Sequence, residues 1–389
     1  MDCLPTFTMQ DYLTNLGKGS SMNPAPEFPN WITADLPGIG GSFKASPEDF
    51  LVEEIAAYEP SGTGEFLYLW VEKRDLAAGE FVRVLGKSLG IQQQDIGVAG
   101  LKDKVALTRQ WVSVPLLNEE KLSQIDHPGI RILKTGRHNN KLKTGHLSGN
   151  RFQIRIRGTV NQSQERLVGL LERIHTLGIP NAYDRQRFGR GNETLKLGWE
   201  ILSGNAPRSI KPWLRRLAVS ALQSGLYNIY LLRRQLEGNL HRVIPGEVLA
   251  KCPAGGMFRA PTDPEALGPE QARMDTHEIT SAGPIFGWKL FAAEGLAKAT
   301  EDAILAQSGL NRESFLREKR ITEGTRRRNL IFPQVEVVGF EDRDVVIRFE
   351  LPSGSYATRV LGELMHSEET APESLVDSDS NDNAEFPDT

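Results

Sequence analysis

In the stretch EFLYLWVEK, Phe66, Tyr68 and Trp70 alternate with Leu67, Leu69 and Val71, which predicts a strand covered on both faces. Just before it, KASPEDFLVEEI reads as a polar turn entering another strand. In AAGEFVRVLGKSLGI the period changes: Phe81, Leu85 and Leu89 stand four apart, the stripe of an amphipathic helix. VAGL is a short strand running into the turn Lys102-Asp103-Lys104, and QWVSVP is extended again. Farther on, RFQIRIRG sets Phe152, Ile154 and Ile156 against Arg151, Gln153, Arg155 and Arg157, an apolar face backed by a cationic one. QSQERLVGLLERIHTLGIP reads as a helix closed by Gly178 and Pro180.

From about Ser203 to Glu318 the character changes. Apart from Gly/Pro-rich stretches such as CPAGGMFRAPTDPEALGPE, the signals are helical, notably in PWLRRLAVSALQSGLYNIYLLRRQL and GLAKATEDAILAQSGL. DVVIRFELPSGSYATRVLGELM then restores strand alternation at Val345, Ile347, Phe349 and Leu351, followed by a turn and a helix. The pattern predicts an α+β protein. A mixed, largely antiparallel sheet flanked by helices is expected over residues 40–202 with 319–366, with a mostly helical segment, 203–318, inserted into it. Residues 1–39 form an N-terminal extension.

The chain has 389 residues, 39% of them hydrophobic and 25% charged, enough for two domains with a sizeable core. Its two cysteines, Cys3 and Cys252, are too far apart in sequence for a disulfide framework or a C-x-x-C metal cluster, usage that fits the reducing cytoplasm. No segment has the pattern of a signal peptide or membrane span. The formal charge of -4 hides an uneven distribution. Residues 361–389 carry nine acids and no Lys or Arg, which leaves 46 Lys and Arg against 41 Asp and Glu in the remainder. The acidic end, 367–389, has the composition of a disordered tail. Residues 127–164 hold eight Lys or Arg and no acid, residues 201–236 hold six and no acid, and EGTRRRNL adds Arg326, Arg327 and Arg328. Any single run reads as a solvated face, and several together favour a polyanionic partner.

Candidate chemistry is sparse. The seven histidines form no H-x-x-x-H pair, and no phosphate-binding loop, nucleophile elbow or dinucleotide fingerprint occurs, so neither a metal nor a cofactor has a visible seat. What remains is carboxylate chemistry. Asp103 sits on a turn between Lys102 and Lys104, cations that favour its charged form. IPNAYDRQRFG supplies an aromatic ring, two amides and two arginines in a Pro/Gly-bounded loop, a plausible pocket for a base, although Phe188 also fits a core position.

Taken together, KASPEDFLVEE, AGLKDKVALTRQW, RHNNKLKTGHLSGNRF, PNAYDRQRFG, and GTRR followed by FELPSGSYATRVLGEL resemble the TruD family of tRNA pseudouridine synthases, over about Phe43 to Met365. The resemblance implies an isomerase that converts uridine-13 of tRNA to pseudouridine without a cofactor, working as a cytoplasmic monomer. It implies that Asp103 is the catalytic aspartate and Lys44 its basic partner. It further implies substrate contacts from Phe50, Arg151, Phe152, Asn181, Tyr183, Gln186 and Phe188. Where the family commonly has Tyr, Phe and Gly, this chain has Ala182, Tyr183 and Asp184, changes that bear on rate and substrate range more than on reaction type. One alternative is a tRNA-binding chaperone with a silent site. A glycosidase pairing Glu53 with Asp103 ranks last, since it leaves the basic runs unexplained.

Overall fold

The computed structural model describes residues 31–207 and 209–367, so the tail and most of the N-terminal extension lie outside the described residues. Among these residues two compact units form, one from 36–175 with 333–367 and the other from 31–35 with 176–332. The first begins with strands β1 (Phe50–Ala56) and β2 (Phe66–Arg74), helix α1 (Ala78–Leu89), strands β3 (Gly97–Val98), β4 (Leu107–Pro115), β5 (Ile130–His138) and β6 (Leu147–Ile156), and helix α2 (Ser163–Leu177). As the alternation predicts, β2 is covered on both faces. Leu67, Leu69 and Val71 pack with Phe81, Val82, Leu85 and Leu89 of α1, while Tyr68 packs with Ala99, Trp111 and Leu142 on the other side. Each such apolar side chain removed from water is worth about 1.5–3 kcal/mol, so the α1 stripe alone secures the helix to the sheet. Gly90, in the left-handed region at φ 67°, ends α1 and donates its N–H to Gly86 O.

Crossing into the second unit, the chain forms β7 (Ile179–Pro180), α3 (Glu193–Ser203) and α4 (Pro212–Leu236). It continues through β8 (Val248–Lys251), β9 (Met257–Arg259), α5 (Gly268–Asp275), β10 (Ile279–Ile285), α6 (Gly295–Gln307), α7 (Arg312–Arg317), β11 (Thr325–Arg328) and β12 (Leu330–Ile331). Helices dominate, as expected, but the unit also holds a four-stranded sheet in the order β11-β10-β8-β9. Its limits, 176 and 332, lie outside the 203–318 segment marked by sequence character. The reason is packing: Leu195, Ile201 and Leu202 of α3 share one core with Ala218, Leu222 and Leu226 of α4, and β7 pairs with β12.

The chain then returns to the first unit as β13 (Glu336–Glu341), β14 (Asp344–Pro352) and α8 (Ala357–Met365). The finished sheet runs β13-β14-β6-β1-β4-β2-β5 with β3 on β4, and its pairs are antiparallel except β1 with β4. The β6–β14 register sets Phe152 opposite Phe349, Ile154 opposite Ile347 and Ile156 opposite Val345, all buried. Two alternating patterns distant in sequence thus close one apolar face.

Gly198 marks the tightest helix approach in the second unit. A Cβ there would come within 2.1 Å of Ala218 O and 2.9 Å of Leu222 Cβ. Gly198→Ala is therefore expected to force α3 from α4 and lower unfolding free energy by about 1–3 kcal/mol, the usual cost of overpacking. A denaturant midpoint equal to that of the unsubstituted chain would contradict this packing.

Candidate active site

Asp103 lies on the loop between β3 and β4, where Leu101 is exposed and Lys102 is buried. Its carboxylate Oδ2 accepts from Lys44 Nζ at 2.6 Å; the Lys44 side chain is 13% exposed and that of Asp103 is 46% exposed. Lys44 enters from the segment bridged to Arg157 through Ser42 and occupies the left-handed region at φ 63°. A non-glycine residue there carries backbone strain, here at a residue whose side chain meets the carboxylate. The Lys44 nitrogen also lies 4.2 Å above the Phe50 ring. Phe50 meets Phe152 edge-on at 6.1 Å, and Phe152 stacks on Phe349 at 5.3 Å. Beside Lys44 a cavity of about 470 Å³ is lined by Phe43, Ala45, Pro47, Asp75 and Val105. The arrangement is an accessible carboxylate aimed by one cation over an aromatic floor.

Beneath it the loop is held by buried lysines. Lys73 Nζ donates to Asp103 O at 2.9 Å, to Lys102 O at 3.4 Å and to Leu76 O. Lys102 feels the Asp103 charge, yet its side-chain hydrogen bond is made elsewhere. Its side chain turns inward, donating to Asn150 Oδ1 at 2.6 Å and lying 3.4 Å from Glu54 Oε2. Burial pushes the Glu54 carboxyl up against the pull of Lys102, and burial pushes Lys102 down against the pull of Glu54.

Arg151 alternates with Phe152 and so leaves the sheet on the opposite face. There it binds Glu53 at 2.9 Å and Glu350 at 2.8 Å. Arg155 pairs with Glu341 at 2.6 Å and Arg157 with Asp49 at 2.7 Å, so this strand's cationic face is matched by acids from its neighbours. Burial works to raise the Asp49 carboxyl, and the Arg157 guanidinium with the Ser46 N–H outweighs it, holding Asp49 below the usual range. Glu53 is engaged by Arg109 and Arg151.

In the second unit Asn181 receives the Arg327 guanidinium at both oxygens, 2.7 Å at Oδ1 and 2.8 Å at the backbone, and donates to Arg328 O at 3.0 Å. Arg327 covers the Tyr183 ring at 4.1 Å, with Tyr227 edge-on to Tyr183 at 5.7 Å. Asn228 clamps the Tyr183 backbone through two 2.9 Å bonds. Ala182 is fully buried against Tyr227, Leu231 and Leu330, which accounts for a small residue there. The Asp184 carboxylate caps the turn Arg185–Phe188 through Gln186 N–H. Gln186 is exposed, while Phe188 is fully buried in the α3–α4 core.

A family model described as tRNA pseudouridine synthase D (TruD) matches residues 29–211 and 203–364. The chain belongs to that family. It is 42% identical over 352 residues to tRNA pseudouridine synthase D of Anaeromyxobacter sp., covering 89% of this chain and 98% of that one. Against the same-named protein of Thermus thermophilus it is 41% identical over 348 residues, covering 88% and 94%. The crystal structure of the putative tRNA pseudouridine synthase D from Methanosarcina mazei superposes with a TM-score of 0.69 at 26% identity, covering 87% of this chain and 96% of that one.

For a member of the synthase D family, four residues at this site carried no role in the sequence reading. Asn150 and Phe349 lie inside the matched blocks, as neighbours of Arg151 and of the β14 alternation. Glu54 is buried beside Lys102. Lys73 continues the inward parity of Leu67, Leu69 and Val71, so the strand alternation itself pointed to it. Lys73→Met should leave buried carbonyls of the Asp103 loop without a donor, at about 1–3 kcal/mol for each such group. The expected result is a lower melting temperature together with slower catalysis. An unchanged melting temperature would show that the loop does not depend on Lys73.

Proposed function

We propose that the protein converts uridine-13 of tRNA to pseudouridine, with Asp103 as the catalytic carboxylate and Lys44 as its partner. Membership of the family supports the reaction class. The observation that carries the assignment of residues is the 2.6 Å Lys44–Asp103 pair, with the carboxylate half exposed and the Lys44 nitrogen above the Phe50 ring. In the reaction the bond from uracil N1 to the ribose breaks, the base turns, and its C5 joins the same sugar carbon. Atoms are conserved, so no redox partner or group donor is required. Asp103 serves either by attacking the sugar carbon or by removing a ribose proton to give a glycal. Lys44 aims the carboxylate in both routes. The target nucleotide must leave the stack, which calls for phosphate contacts and an aromatic surface. We assign the chemistry to residues 40–202 with 319–366 and RNA contact to the inserted 203–318, with substrate contact also from Asn181, Tyr183 and Gln186.

Among the described residues no helix is long and apolar enough to cross a membrane, and no group of three His, Cys, Asp or Glu could hold a metal. We place the enzyme as a cytoplasmic monomer acting on tRNA. An intact Lys44–Asp103 pair weighs against a silent RNA-binding role.

Incubation with unmodified tRNA followed by carbodiimide-stop sequencing should show one new pseudouridine, at position 13. Asp103→Asn should abolish that signal and bind tRNA with nearly unchanged affinity, because the carboxylate acts in the transition state while phosphate contacts supply affinity. Retained turnover in Asp103→Asn would refute the assignment.

A further inference from the structure

The turn Lys143–His146, inside the block RHNNKLKTGHLSGNRF, has no part in the site as described so far. It is closed by the His146 N–H donating to Lys143 O at 3.0 Å, with Gly145 at φ 91°. The turn is fastened to the loop that carries Asp103: Gly145 N–H donates to Ala99 O at 2.8 Å. The preceding Leu142 is buried beside Ala99, Tyr68 and Trp111, and its N–H donates to Ser113 Oγ at 2.9 Å. Beyond the turn the two segments stay side by side. A Cβ on Gly100 would lie 3.8 Å from Leu147 Cδ1, and Asn150 accepts from Lys102. Ala99 precedes Asp103 by four residues, a chain length of at most ~14 Å. A nucleotide adjoining the one at Asp103 is within reach of the turn.

The charges separate this turn from most of the other cations in its run. Arg137 is matched by Glu119, and Arg151, Arg155 and Arg157 are matched by Glu53, Glu350, Glu341 and Asp49. Lys143 is exposed, and among the described residues its ammonium group makes no ion pair or hydrogen bond. Its neighbour Lys141 donates to Gln94 O. Burial holds the Lys141 ammonium below the usual lysine range, and the Lys143 charge adds to that against the pull of Asp95. Lys141 is thus engaged by the fold, while the Lys143 ammonium on the anchored turn remains open to an anion.

We propose that Lys143 and its turn hold a backbone phosphate of the tRNA adjoining the target uridine. This rests on the tRNA-modifying function proposed above. A phosphate fits because the turn offers a flexible point charge on a fixed support, and because each phosphate neutralised releases counterions.

The test measures affinity of the full chain for unmodified tRNA across a salt series. Lys143→Ala, at an exposed position, should bind several-fold more weakly at low salt, and its slope of log affinity against log salt should fall by about one, the signature of one lost phosphate contact. Lys143→Arg should restore the slope. A tRNA carrying one uncharged methylphosphonate linkage beside uridine-13 should weaken the unsubstituted protein by the same factor and leave Lys143→Ala no weaker. If Lys143→Ala keeps the full slope, or if the neutral linkage weakens it as much as the unsubstituted protein, the site is overturned. When the unsubstituted protein isomerises tRNA normally in that series, only this site falls. A protein that does not isomerise tRNA removes the proposed function and this inference with it.

Discussion

The candidate active site depends on a lysine with no access to solvent. Lys73, fully buried, gathers the carbonyls of Leu76, Lys102 and Asp103 around one nitrogen. A loop of small and polar residues has few apolar contacts to set its shape, so hydrogen bonds from below must do so. Lys102 adds a second anchor by sending its side chain to Asn150 and Glu54. With both in place, Asp103 is directed outward to Lys44. Exposure of the carboxylate and rigidity of its backbone, which usually oppose each other, are thereby combined.

The same economy governs charge. Most of the cations that make the chain look suited to a polyanion are consumed by the fold. Arg234 forms a buried pair with Glu247, and Arg326 with Glu301. Arg327 binds Asn181, and Arg328 donates to Lys251 O at 2.8 Å. Each pair places a carboxylate or carbonyl where sequence shows only a run of one sign, because the partner lies outside the run and meets it only in the fold. Buried guanidinium groups of this kind specify which elements meet more than they add stability. Cationic surface available to RNA is accordingly smaller than the residue count implies.

Much of the fold was legible in the sequence, and for identifiable reasons. Strand β2 and the β6–β14 pair announced themselves because each alternates large apolar residues over many positions, and α1 because its stripe is uninterrupted. The sheet of β8 to β11 did not. Met257–Arg259 is too short to show a period, and Ile279–Ile285, ITSAGPI, is buried on both sides by small residues that do not alternate. At the site, Asp103 and Lys44 were legible through the matched blocks. The inward course of Lys102 was not, because a K-D-K turn looks solvated until its register against β6 is known.

We propose that catalysis requires the distance at which the loop sets the Asp103 carboxylate from Lys44. Asp103→Glu keeps the charge and adds one methylene, which moves the carboxylate by about an ångström, a displacement that commonly costs about a hundredfold in rate. Single-turnover isomerisation of tRNA by Asp103→Glu, measured beside its melting temperature, should fall by about two orders of magnitude or more with the fold intact. A glutamate variant that turns over at the rate of the unsubstituted protein would contradict the claim.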